Sequence, residues 1–153
     1  MTEKVVYDSG VIKVVVRPLR NNSAEVDQSL PSWQRVWYTE AWRAAEGVAA
    51  VRDAAADGLQ QQHELNFWYS RVNACMAHGL ALGSFVNGGA VSGVCLVLPD
   101  NMDPSRAILV HLSKDSFGGD ATEKAFLDWA RQWSAERGRK LVQKVVTVEW
   151  KEI

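Results

Sequence analysis

The residues best equipped for chemistry fall in one stretch, "ILVHLSKDSFGGDATEKAFLDWARQWSAERGRKLV", residues 108–142. His111 stands in its apolar, strand-like opening and carries an imidazole, which titrates near neutral pH and suits proton transfer. The glycine pair of "SFGGDA" follows, at the start of an amphipathic run. Glycines let the main chain approach a ligand closely, and amides at a helix start point outward, where the dipole favours an anion. Such a loop holds a phosphate. A strand-to-helix turn also uses Gly-Gly for positive φ, and the sequence leaves both readings open. Asp115, Asp120 and Glu123 crowd the same loop with negative charge, with Lys114 and Lys124 as local compensation.

Other reactive groups are scattered. His63, beside Glu64 in "QQQHELNFWY", reads as part of a solvated helix face, and His78, before Gly79, as a cation at a helix C-terminus. Cys75 and Cys95 sit in apolar surroundings. With the histidines they make no zinc spacing, although Cys75 and His78 are three residues apart on a helix. Buried free thiols of a reducing compartment are expected, hence a cytoplasmic protein. No nucleophile elbow, Walker loop or dinucleotide fingerprint occurs. The seven tryptophans lie mostly at helical spacings, so packing accounts for them before ligand stacking does. "FWYSRV" at 67–72 sets aromatics beside Arg71, as a pocket lining or a helix face.

These groups need elements to position them. "VIKVVVR" at 11–17, bounded by "DSG" and Pro18, reads as a first strand. A polar connection leads to a helix with Ser32 as N-cap and Trp33, Trp37, Ala41, Ala44 and Val48 on one face. The helical region resumes through "LQQQHELNFWYSRVNACMAHG" and stops at Gly79, as two helices or three. Two apolar runs around Asn87-Gly88 form a hairpin. "RAILVHLSK" is the next strand, in which alternation places His111 with Leu109 and Ser113, opposite Ile108, Val110 and Leu112. Asp120 and Glu123 read as a capping box, Phe126, Trp129, Ala130 and Trp133 as an apolar stripe, and Gly138 as the helix stop. "LVQKVVTVEW" is the final strand. The order strand, helices, hairpin, strand, helix, strand argues for α+β, a central mostly antiparallel sheet with helices on both faces.

Length and composition bound the rest. With 153 residues, 47% of them apolar, residues 1–153 form a single domain with a proper core. A net charge of −1 supplies no field for a polyanion, so nucleic acid is not an expected partner. "HGLALGSFVNGGAVSGVCLVLP" has the length of a membrane span, but Asn87, serines and glycines interrupt it and it alternates like paired strands, so no membrane association is expected. The N-terminal "MTEKVVYDSG" does not read as a secretory signal.

The order of elements, with "FVNGGAVSGV" as the hairpin and a strand running through "SFGGDA" into a helix that ends in glycine, resembles the GNAT superfamily of N-acyltransferases. The likeness is good over roughly residues 80 to 148 and an outline before that. The family's loop reads Q/R-x-x-G-x-G/A and holds the pyrophosphate of acetyl-coenzyme A. Ser116, Gly119 and Ala121 fall at its positions, with Ser116 in place of the usual Gln or Arg. The resemblance implies transfer of an acetyl or acyl group from acyl-coenzyme A to a small-molecule or protein amine. His111 would relay the proton, and Leu112, Ser113, Lys114, Ser116, Gly118, Gly119 and Ala121 would bind the cofactor; no metal is implied. Family members commonly continue past the strand at 141–150, through a helix bearing a tyrosine that protonates the leaving thiolate. That departure and the acidic loop imply the alternative, a catalytically inactive GNAT-fold protein acting as a protein-interaction module or homodimer.

Overall fold

The computed structural model describes residues 3–52, 58–143 and 151–152. The elements run β1 (Lys4–Asp8), β2 (Lys13–Pro18), α1 (Ser32–Val36), α2 (Glu40–Arg52), α3 (Gly58–His78), β3 (Leu80–Val86), β4 (Val91–Pro99), β5 (Arg106–Ser113), α4 (Asp120–Glu136) and β6 (Lys140–Val142). They build one mixed sheet in the order β1-β2-β3-β4-β5-β6, antiparallel up to β5 and parallel between β5 and β6. The class is α+β, with α2 and α3 on one face and α4 on the other. The expected strand at 141–150 begins as β6; its residues 144–150, Trp150 among them, lie outside the described residues. Among the described residues, no helix is long and apolar enough to cross a membrane.

Each face has its own core. Ala44, Val48, Trp68, Val72 and Cys75 of α2 and α3 pack on Ala81, Phe85, Val94 and Leu96 of the sheet. Ala125, Phe126 and Ala130 of α4 pack on Leu82, Cys95, Val97 and Leu109. The central strand β3 is covered on both sides, buried from Leu80 to Phe85, so it reads as a continuous apolar run rather than an alternating one. Phe85 and Phe126, fully buried on opposite faces, each contribute about 1.5–3 kcal/mol of transfer free energy.

Several sequence expectations change here. β1 precedes the strand taken as the first: "KVVYD" is β-branched, and the "DSG" read as a boundary is the β1–β2 turn, with Gly10 at φ 87°. The helix expected from Ser32 is broken. Pro31, not Ser32, is the N-cap of the short α1, and a turn through Trp37–Thr39 separates it from α2. Trp33 and Trp37 are therefore exposed, at 59% and 46%, while Ala41, Ala44 and Val48 reach the core. Trp42 and Trp68 are buried as expected. Gly47, a candidate helix break in the sequence, lies inside α2, and three helices cover the region among the described residues. The hairpin turns at Asn87 and Gly88, at φ 51° and 70°, as its sequence requires. α3 ends at His78, in its last turn, and Gly138 closes α4 at φ 67°.

A tight clasp joins sheet to helices. The Arg17 guanidinium donates to both carboxylate oxygens of Glu40, at 3.1 and 2.6 Å, and lies 3.7 Å above the Phe85 ring. The Arg20 amide donates to Glu40 Oε2 at 2.6 Å, and the Glu40 amide to Asn22 Oδ1 at 3.0 Å. The long β2–α1 connection is thereby pinned to the start of α2.

Candidate functional site

The β5–α4 turn is where the sequence placed a phosphate, and its geometry is dictated by Asp115. That side chain is 4% exposed. Asp115 Oδ1 accepts the amides of Phe117, at 2.8 Å, and Gly118, and Oδ2 accepts the Thr122 hydroxyl. Of the loop residues expected to face a ligand, Gly118 thus closes its amide on the chain's own carboxylate, and the Ala121 amide donates to the Gly118 carbonyl at 3.0 Å. Burial pushes the Asp115 carboxyl up, but the Thr122 hydroxyl and the Gly118 and Phe117 amides outweigh it and hold it below the usual carboxylate range.

Both glycines are explained by this arrangement. A Cβ on Gly118 would lie 2.3 Å from Thr122 Oγ1 and 3.2 Å from Asp115 Oδ2, inside the carboxylate's own hydrogen-bond shell. Gly119 is different: a Cβ there meets nothing within 4 Å, but its φ of 50° with ψ −115° is a conformation L-residues avoid. Gly119 is the N-cap of α4 and has no side-chain capping bond. The expected Asp120–Glu123 capping box is absent because Asp120 is already the first helical residue. Its carboxylate instead takes Lys114 Nζ at 2.7 Å, with Glu123 at 3.6 Å from the same ammonium. The bond to Asp120 and its charge push the Lys114 ammonium up. Lys124 turns away from the loop to Asp128, at 2.6 Å.

The sequence-predicted residues separate into two groups. Lys114, Ser116, Gly118, Gly119 and Ala121 gather at the turn, with Ser116 and Ala121 exposed. Ser113 ends β5, its hydroxyl accepting the Val94 amide at 3.1 Å. Leu112, opposite Cys95, packs into the core under α4. His111 does not share a face with Leu109. The β4–β5 register pairs Leu96 with His111 and Val97 with Leu109, so Val110 is an extra residue. This bulge breaks the alternation. His111 falls with Val110, Ile108 and Ser113 on the α3 face, its ring edge-on to Trp68 at a centroid distance of 5.3 Å. Imidazole and turn are thus presented differently: His111 is half-buried under α3, while the turn projects beyond the strand end.

The sequence reading underestimated two features. In sequence Asp115 is one of three acids crowding the loop; its spacing of two, three and seven residues from Phe117, Gly118 and Thr122 is the available signal for its role. The second is a cleft of about 350 Å³ beside α1 and α3, lined by Arg20, Asn21, Ser32, Arg35, Tyr69, Asn73 and neighbours. "FWYSRV" contributes Tyr69 to it, while Trp68 enters the core and Phe67 is exposed with Arg71 over its ring. Cys75 and Cys95 are buried in the cores of opposite sheet faces, and burial pushes each thiol up to about 12. The chain matches no family model, no curated protein and no solved structure.

Proposed function

We propose that this chain is a GNAT-like domain that does not use coenzyme A and acts as a protein-interaction module of the cytoplasm. One observation carries the reading: the Asp115 carboxylate already occupies the Gly118 amide of the loop expected to hold a pyrophosphate, together with the neighbouring Phe117 amide and the Thr122 hydroxyl. A phosphate oxygen brought about 4 Å from that carboxylate meets a repulsion of about 4 kcal/mol per unit charge at an effective dielectric of 20. Lys114, the nearest cation in sequence, is engaged by Asp120 and Glu123. Binding another protein is supported by Trp33, Trp37 and Tyr38, exposed at 59%, 46% and 49% on α1 and the turn after it. Aromatic side chains of this kind anchor protein interfaces. The Trp33 and Trp37 rings meet edge to face at 5.0 Å, which limits the entropy lost on docking.

A second reading, transfer of an acyl group from acetyl-coenzyme A or another acyl-coenzyme A to an amine, is favoured by the strand order. β5 runs through a glycine turn into α4 and on to β6, the order of strand, loop, helix and strand on which the GNAT resemblance rests. Titration with acetyl-coenzyme A, followed by calorimetry and thermal shift, separates the two. A ligand at a hundred times its dissociation constant adds about 2.7 kcal/mol, or roughly 5–10 °C for a domain of this size. The interaction reading expects no shift at millimolar ligand; a saturable shift that disappears in Gly119→Trp would replace it with the transferase.

A further inference from the structure

We propose that the cleft between the β2–α1 connection, α1 and the second half of α3 binds a small oxyanion, a carboxylate or phosphate on a compact molecule. The proposal is independent of the chain's use as an interaction module. It rests on charge and hydrogen-bonding capacity. The cleft, about 350 Å³, is lined by the polar residues Arg20, Asn21, Ser32, Arg35, Tyr69 and Asn73 among others, with no acidic side chain in its wall among the described residues. Its volume is at the lower end of the range typical of small-molecule sites.

Two arginines, Arg20 and Arg35, line this space, and neither guanidinium has a carboxylate partner among the described residues. Glu40, next to the lining residue Ala41, cannot neutralise them, because both its oxygens are held by Arg17 and the Arg20 amide. Arg35 is held by one bond, Nη1 to Gln28 Oε1 at 2.6 Å, and its Nε is sealed from water with no acceptor among the described residues. Its Nη2, neither sealed nor hydrogen-bonded among the described residues, is the donor left open, and the planar fork of arginine suits a carboxylate or a phosphate.

The wall is also held in place. The Tyr69 ring is fixed edge-on to Trp42 at 5.2 Å, and Asn73 Nδ2 donates to the Tyr69 carbonyl at 3.0 Å. The Arg20 end is anchored by the Glu40 clasp. The cleft lies where β2 ends and β3 begins, since Leu19 bonds to Ala81. The β5–α4 turn lies at the other end of the sheet, after Ser113 opposite Val94. An anion at one site therefore does not occupy the other.

Isothermal titration calorimetry with pyrophosphate and with citrate, against sodium chloride at matched ionic strength, tests the proposal on the full chain. Saturable binding of one or both probes is expected, weakened by about tenfold or more, the loss of one charged contact, in both Arg35→Met and Arg20→Gln. Binding of pyrophosphate alone assigns the phosphate class, and binding of citrate alone the carboxylate class. Arg20 is exposed, so Arg20→Gln remains an informative variant if Arg35→Met does not fold. The proposal is overturned if neither probe binds beyond the salt control, or if binding is unchanged in the arginine variants, which would direct attention to the β5–α4 turn.

Discussion

Replacing Asp115 by Ala removes the acceptor for two amides and one hydroxyl in a pocket that is 4% exposed. A hydrogen bond to a charged group is worth about 1.5–3 kcal/mol, and a buried donor left unpaired loses about 1–3 kcal/mol. Water can enter the vacated space and solvate part of the turn, so the three bonds do not simply add. A loss of about 3 kcal/mol is expected, which corresponds to roughly 6–12 °C in Tm. Asp115→Asn keeps the shape and one acceptor but loses the charge, and should fall between the two. The pH dependence has a definite sign. The folded carboxyl is held below its ordinary value, so its contribution is complete above about pH 5 and is lost as pH falls through the folded pKa. Urea denaturation from neutral to acid pH should therefore show the gap between the native chain and Asp115→Asn shrinking toward low pH. The vacated nest of Asp115→Ala should also accept a replacement, so that pyrophosphate raises its Tm more than that of the native chain. An Asp115→Ala variant within about 0.5 kcal/mol of the native stability would refute the claim that this carboxylate holds the turn.

Other outcomes follow from the same geometry. Glu40→Ala leaves the Arg17 guanidinium, whose side chain is only 11% exposed, without its carboxylate; a loss of about 3 kcal/mol is expected in urea denaturation, and Glu40→Gln should recover part of it. Cys75 and Cys95, both fully buried with thiols pushed up to about 12, should not react with a disulfide reagent at pH 8 in the folded chain, while two thiols per chain react in denaturant. Reaction of either thiol at a rate comparable to free cysteine under native conditions would mean that its core opens.

Local pattern was enough for much of the fold. Asn87-Gly88 specified the hairpin because only such residues accept the positive φ of a tight turn. Gly79 and Gly138 marked the ends of α3 and α4, and the β-branched runs marked β2 and β5. The glycine pair likewise identified the β5–α4 turn, since its requirement for unusual backbone geometry is a property of the residues themselves.

What the turn contains was decided by tertiary structure. Three acids at 115, 120 and 123 look alike in sequence, yet the chain path buries Asp115 among amides and leaves Asp120 at the surface beside Lys114. The face of His111 depended on a bulge at Val110, which arises from the register between β4 and β5 and has no local signature. The cleft with Arg20 and Arg35 joins a loop, a short helix and the end of a long one, from residues some fifty positions apart in the chain. Sequence fixes which groups are available and the backbone conformations they favour; burial, pairing and the sign of the local field come only from the segments the fold brings against them.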